Sequence, residues 1–339
     1  MSRRAALARL AWPAWNAAER RPRAPVRLVL FALALGLAAA GIGRALGRLG
    51  PRRLDRLLGP VPGDVAAAVG GPAAVLCLLA LAAAALDRRR LRDYGLGIDR
   101  DWWLDFGAGL LLGATLMTLV FAVESAAGWA AVVGTARAAG PRAFPAAFLA
   151  VTVRLLGAGA VEELLVRGYA LTNLAEGCRA LGPRRAAAVA TLGSSALFGA
   201  LHAGNPNATA ASTAAVALGG VMLALAYVLT GELGLPIGLH VAWNLFQGPV
   251  YGYPVSGVDL GVSALVLARS GPRVATGGAF GPEAGLTGVG AMAVGIAAVV
   301  GYARRRRGRG TAPVAVPALR WWRWARPAAR DGGERGGTG

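Results

Sequence analysis

The chain has 339 residues, of which 55% are hydrophobic and 16% charged, and its mean hydropathy is +0.51. This composition excludes an ordinary soluble globular protein and is typical of a protein that crosses a membrane several times. The net charge of +19 comes entirely from arginine, and because these arginines cluster beside apolar segments, membrane lipid is predicted as their partner rather than nucleic acid.

The hydropathy pattern predicts an all-α fold, a polytopic transmembrane helical bundle of about eight spans, counting roughly 20 apolar residues per crossing. Only Cys77 and Cys178 are present, so neither a disulfide framework nor a zinc–cysteine site is expected. The predicted spans are 26–46, 64–86, 104–126, 144–170, 186–203, 208–230, 234–251 and 284–303.

Arginine placement predicts the orientation of this bundle. Six arginines precede residue 25 and the run RRRRGR follows the last span, so both termini are expected in the cytoplasm. The arginine-rich, lysine-free composition looks bacterial, and the bacterial inner membrane is the predicted location. One loop disagrees with this orientation, because residues 43–56 would lie outside the cytoplasm with five arginines.

Two adjacent acids, Glu162 and Glu163, interrupt the fourth span within the stretch GAVEELLVRGYAL. An ionisable group inside a bilayer usually faces a protein interior or a water-filled cavity. Glu163 lies four residues before Arg167, so the two share a helical face and are expected to pair. Glu162 is rotated by about 100° from Glu163 around the helix axis, so it gains no charged partner from its own helix. It serves another purpose, or it joins an interhelical salt bridge that only fixes packing.

Both histidines of the chain also lie in apolar spans. Phe198 precedes His202 by four residues, and Asn244 follows His240 by four, so each pair shares a helical face. A lone histidine in a core is more often a packing residue than a base or ligand. When both histidines accompany an acid pair and an asparagine, a shared site is the better interpretation.

Positions along the chain predict the relative depths of these residues in the membrane. In an antiparallel hairpin that turns near Pro183, Glu162 and His202 finish within about 3 Å of the same height. His240 reaches that height only if the turn RALGPRR projects some 10 Å further than the turn TGELG.

Three short motifs carry a family resemblance. EELLVR fits E-E-x-x-x-R, FGALH fits F-x-x-x-H and HVAWN fits H-x-x-x-N, in that order on successive spans. Over roughly residues 140–255 the chain resembles the CPBP family of intramembrane proteases, which includes the CAAX prenyl endopeptidases and the bacteriocin-processing or self-immunity proteins. The resemblance implies a helical membrane fold, a cavity that opens to the cytoplasmic side, and cleavage of a peptide bond inside or beside the membrane.

The resemblance also suggests how the chain is organised. The predicted parts are a basic, Trp-containing cytoplasmic segment (1–25), N-terminal transmembrane helices (26–135), a CPBP-like catalytic core (136–255), a loop with the last transmembrane helix (256–303) and a basic cytoplasmic tail (304–339).

The resemblance implies roles for seven residues. A carboxylate in a poorly solvated cavity suits general-base work, which makes Glu162 the expected base, with His202 positioning the water. His240 and Asn244 are expected to stabilise the oxyanion. The predicted catalytic set is Glu162, Glu163, His202, His240 and Asn244, with Arg167 and Phe198 as structural support.

Participation of a metal stays open at this point. Glu162, His202 and His240 form an acceptable catalytic zinc set, whereas a glutamate-activated water requires no metal. The absence of H-E-x-x-H from the sequence excludes the ordinary zincin arrangement.

The predicted function is an intramembrane endopeptidase acting on a membrane-associated protein or peptide. A non-catalytic membrane scaffold or bacteriocin immunity protein is the alternative. A proton-coupled transporter is less favoured, because no inverted repeat is evident.

Overall fold

The computed structural model describes residues 14–16, 19–49 and 63–306. Helices account for most of these residues, which confirms the predicted all-α class. Most of the predicted N-terminal segment (1–25), residues 50–56 of the discordant loop and residues 307–339 of the predicted tail lie outside the described residues.

The elements follow the predicted order of spans, with two small antiparallel strand pairs added. The α-helices are α1 (Ala24–Leu49), α2 (Gly63–Ala82), α3 (Arg100–Ala126), α4 (Phe144–Glu163), α5 (Thr172–Gly177), α6 (Pro183–Leu201), α7 (Ala210–Thr230), α8 (Gly234–Leu245), α9 (Arg273–Thr276) and α10 (Leu286–Arg306). Segments of π-helix are Ala83–Asp87, Leu164–Leu171 and Phe246–Val250, and the strands are β1 (Trp15–Asn16), β2 (Arg21–Pro22), β3 (Ala130–Ala138) and β4 (Val262–Arg269).

Six helical segments of the described chain are long and apolar enough to cross a membrane. They are Ala24–Ala45, Val69–Asp87, Arg100–Ala126, Phe144–Gly177, Ala210–Thr230 and Leu286–Arg306. The other two predicted spans are also helical, as α6 and as α8 with the π-helix after it. The chain is therefore an integral membrane protein, and its fourth span continues beyond the predicted end at residue 170.

One end of the bundle, which we call the arginine-rich face, comprises residues 19–27, 87–101, 176–185, 231–234 and 304–306. Ion pairs hold it together: Arg27 lies 2.8 Å from Asp87 and 2.9 Å from Glu176. The backbone N–H of Gly97 donates to the Glu232 carboxylate at 3.0 Å.

The other end of the bundle, the opposite face, comprises residues 127–143, 203–209 and 251–285. Strands β3 and β4 pair antiparallel there. The Asn205 side chain donates to the carbonyl of Ser256 at 3.0 Å, and the N–H of Gly257 donates to the carbonyl of Phe280 at 2.6 Å. Because consecutive long helices run between these two faces, a residue's position along its helix fixes which face it is near.

Helices α3 and α8 approach so closely that their backbones touch. Gly109 and Gly113 of α3 and Gly234 and Gly238 of α8 form two G-x-x-x-G motifs, and a Cβ on any of them would meet a carbonyl oxygen of the other helix. Small residues at this spacing permit close helix packing within membranes. The contact fixes α8, which carries His240.

Candidate active site

The acid pair lies at the end of α4, where the helix passes into the π-helical segment that carries Arg167. Single π-turns are frequent at functional sites. The two side chains occupy different environments: Glu163 has no exposed surface, whereas 38% of the Glu162 side chain is exposed. Neighbouring positions on one helix thus give one buried acid and one that reaches open space.

Glu163 is the centre of a buried charged cluster. Its Oε1 accepts from Arg167 at 2.7 Å, which confirms the predicted pairing, and from His240 Nδ1 at 2.8 Å. Arg167 also donates to the carbonyl of Gly220 at 3.3 Å, and its guanidinium carbon lies 4.2 Å from the centre of the Phe198 ring. Glu163 therefore joins α4, the π-helix and α8 through charged hydrogen bonds.

His240 stands between the two acids. While Nδ1 contacts Glu163, Nε2 lies 3.8 Å from Glu162 Oε2. The Phe198 ring packs edge-on against His240 with 5.8 Å between ring centres. A carboxylate oxygen can only accept, so Nδ1 of His240 is the protonated nitrogen. The Nε2 atom is thereby directed towards Glu162.

His202 follows the last residue of α6 and is held by its own chain. Its Nδ1 lies 2.8 Å from the carbonyl of Phe198, and the two rings are 4.7 Å apart. Because the carbonyl can only accept, Nδ1 donates and the neutral ring keeps its lone pair on Nε2.

A cavity of about 380 Å³ brings most of the predicted site residues together. Glu162, His202, His240 and Asn244 all line it, together with Phe198. Glu163 and Arg167 lie behind this wall, where the cluster fixes His240. The structure thus divides the seven predicted residues into five that face the cavity and two that hold one of them in place.

Sequence reasoning missed several other residues of the cavity wall, and Glu283 is the most informative. It precedes α10, lines the cavity, and accepts hydrogen bonds from the N–H of Ser256 at 2.5 Å and from the side chain of Gln247. Burial raises the pKa of Glu283 to about 7, although these hydrogen bonds act in the opposite direction. The sequence signal that could have identified Glu283 is an acidic residue immediately before the last apolar span.

The arrangement does not fit the zinc set considered from the sequence. Within residues 14–16, 19–49 and 63–306, no group of three His, Cys, Asp or Glu side chains is arranged to hold a metal ion.

A comparison with protein families identifies the segment that holds this site. Residues 144–246 match the family model described as type II CAAX prenyl endopeptidase Rce1-like. The predicted family resemblance is confirmed. We call residues 144–246 the Rce1-like segment, which is less than half of the chain and contains all seven predicted site residues. The match supports a CAAX-type intramembrane protease. No curated protein and no solved structure matched the chain in the other two comparisons.

Proposed function

We propose that the protein is an intramembrane endopeptidase that hydrolyses a peptide bond of a membrane-associated protein or peptide, with Glu162 as the general base. The observation that carries the proposal is the division of the acid pair. Glu162 reaches the cavity shared by His202, His240 and Asn244, while Glu163 is buried against Arg167 and His240.

Glu162 has the environment that a general base needs. Its side chain lines the cavity and is partly exposed, so its carboxylate can bind a water molecule there, while the buried Oε2 lies towards His240 Nε2. The unprotonated Nε2 of neutral His202 accepts a second hydrogen bond from the same water. Such a pair of acceptors orients a water oxygen for attack, and Glu162 takes its proton.

His240 and Asn244 supply donors for the oxyanion. The Asn244 amide donates in any protonation state, whereas Nε2 of His240 donates only when the imidazole carries both protons. Glu163 and Arg167 are positioning residues in this scheme, because they fix the ring of His240 without facing the cavity. Donors fixed in this way stabilise charge that develops in the transition state.

Water, Glu162 and the substrate account for every proton that moves in this reaction. Water gives one proton to Glu162 as its oxygen bonds to the carbonyl carbon of the substrate, and the negative charge moves to the carbonyl oxygen. When the C–N bond breaks, protonated Glu162 gives that proton to the leaving amine. The carboxylate is restored, and one peptide bond and one water have become an acid and an amine.

The proposal is tested by comparing peptide termini, measured by mass spectrometry, in membranes from cells that express the wild type or Glu162→Gln. New termini should form with the wild type and be at least 10²-fold less abundant with Glu162→Gln, since an amide cannot act as the base. Asp259→Asn is the matched control, because Asp259 is exposed, contacts only Arg137 and the N–H of Gly261 among the described residues, and does not line the cavity. Equal cleavage by wild type and Glu162→Gln would contradict the proposal and favour a non-catalytic role.

A further inference from the structure

The cavity reaches one face of the bundle and not the other. Asn205, Ser256, Val258, Leu260 and Glu283 line it, and each belongs to the opposite face. None of the described residues that line it belongs to the arginine-rich face. The cavity therefore extends from Glu162 and His240 towards the loops that connect α6 with α7 and α8 with α10.

A packed layer separates the site from the arginine-rich face. Tyr94, Tyr169, Leu171, Tyr227 and Leu233 are almost completely buried, with at most 1% of each exposed. They belong to one apolar cluster. Tyr169, Leu171 and Tyr227 lie along their helices between the site residues and the arginine-rich face, and Tyr94 and Leu233 belong to the inner side of that face. This layer closes the route between the cavity and that face.

The arginines indicate which face is cytoplasmic. Loops and helix ends on the cytoplasmic side of a membrane carry the excess of arginine, and acidic residues contribute little to this rule. The arginine-rich face holds Arg20, Arg21, Arg23, Arg27, Arg88, Arg89, Arg90, Arg92, Arg100, Arg179, Arg184, Arg185, Arg304, Arg305 and Arg306. Among the described residues, the opposite face holds Arg137, Arg142, Arg269 and Arg273, and the far end of α1 holds Arg44 and Arg48.

We infer that the substrate reaches the cavity from the extracytoplasmic side of the membrane. The family resemblance implies an opening to the cytoplasm, but that opening and a cytoplasmic arginine-rich face cannot both hold in this chain. The inference rests on the proposed function for its substrate. That substrate is the extracytoplasmic segment next to the membrane anchor of a protein or peptide.

Cysteine labelling tests the inference without requiring any cleavage. In a background with Cys77→Ser and Cys178→Ser, Val258→Cys places a thiol at the cavity wall, where the side chain is 41% exposed. Leu181→Cys is the matched control on the arginine-rich face, where the side chain is 49% exposed. A membrane-impermeant maleimide is added to spheroplasts and to inside-out vesicles, and labelling is normalised to denatured protein.

Val258→Cys should label at least tenfold more in spheroplasts than in inside-out vesicles, and Leu181→Cys should show the reverse. The opposite pattern would overturn the inference, as would equal labelling of both thiols from both sides. Failure of Val258→Cys to label from either side would also overturn it, since the cavity would then be closed at this face.

A second measurement links access to cleavage. Once the termini produced by the wild type are known, the maleimide applied to spheroplasts should reduce their formation at least tenfold with Val258→Cys and leave Leu181→Cys unchanged. Cleavage that persists while Val258→Cys is labelled would place the substrate route elsewhere. If no cleavage exists, the labelling pattern still decides the side on which the cavity opens, so failure of the two proposals is distinguishable.

Discussion

At the scale of single residues, the sequence predicted which groups would meet but not how they would be arranged. The spacing of Glu163 and Arg167 sufficed to predict their ion pair, because both lie on one helix. The contact of Glu163 with His240 joins residues 77 apart, and its existence depends on how far the connecting turns project. Local spacing contains no such information.

The acid pair leads to a prediction about stability. Glu163→Gln should lower the free energy of unfolding by about 3–5 kcal/mol, the usual cost of breaking a buried ion pair, because Arg167 stays buried without its charged partner. Glu162→Gln should change it by less than about 1 kcal/mol, because the Glu162 side chain is partly exposed and Oε2 accepts no hydrogen bond from the described residues. Unfolding in detergent micelles measures both variants. Equal losses would show that the two acids share one structural role.

Glu283 leads to a prediction about pH. Its carboxyl keeps a proton up to about pH 7 in the folded protein, whereas the unfolded chain releases it near the usual pKa of 4.5. A carboxyl whose pKa is raised by folding stabilises the protein fully at a pH below its pKa in the unfolded chain. This stabilisation is lost as the pH rises through its pKa in the folded protein. Its contribution to the free energy of unfolding should therefore fall by roughly 3 kcal/mol over this interval.

Glu283→Gln removes this titration while keeping the size of the side chain. Relative to the wild type, the variant should gain roughly 3 kcal/mol between about pH 4.5 and pH 8, measured by chemical unfolding at both values. A difference between variant and wild type that does not change with pH would show that Glu283 does not titrate in this range.

At the scale of elements, the helices were predictable and the strands were not. Long apolar runs fix the helices because the backbone must satisfy its own hydrogen bonds within a bilayer. Strands β3 and β4 are more than 120 residues apart at their closest paired ends, Ala138 and Val262, and each acquires its partner only when the opposite face assembles. The layer that closes the cavity towards the arginine-rich face is a similar tertiary feature.

The glycine contact between α3 and α8 provides the test at this scale. Gly238→Ala would place a methyl group against the carbonyl of Phe106, so α8 must move and carry His240 with it. Stability should fall by about 1–3 kcal/mol, the usual cost of overpacking, and cleavage should fall with it. Thermal unfolding in detergent and the terminus assay measure the two effects.

Gly107→Ala is the matched control for this change. Gly107 lies on α3, and a Cβ there meets no atom within 4 Å. Stability should stay the same or rise by up to about 1 kcal/mol, since alanine favours helix more than glycine does. Similar losses in Gly107→Ala and Gly238→Ala would mean that the close approach of α3 and α8 does not position the site.

At the scale of the whole molecule, a cluster of ion pairs attaches α1 to the Rce1-like segment. Glu176, at the end of α5, contacts Arg21 at 2.9 Å, Arg27 at 2.9 Å and Arg89 at 2.6 Å. Arg27 lies in the first turn of α1 and is fully buried, although most of α1 is exposed on the surface of the bundle. The charges at this face therefore hold a peripheral helix as well as indicating the orientation.

Glu176→Gln should loosen the start of α1 without disabling the site. It leaves three arginines without their shared carboxylate, so hydrogen exchange should accelerate at least tenfold at the start of α1, while the free energy of unfolding falls by about 3 kcal/mol. Glu176 is thirteen residues from Glu163, about 20 Å along the helix, so cleavage by the folded protein should change less than threefold.

Glu19→Gln is the matched control in the same cluster. Its side chain is 27% exposed and pairs with Arg21 and Arg179, and partly exposed pairs contribute less to stability than buried ones do. If Glu19→Gln accelerates exchange in α1 as much as Glu176→Gln does, then Glu176 is not the attachment point, and general loss of negative charge at this face explains the effect better.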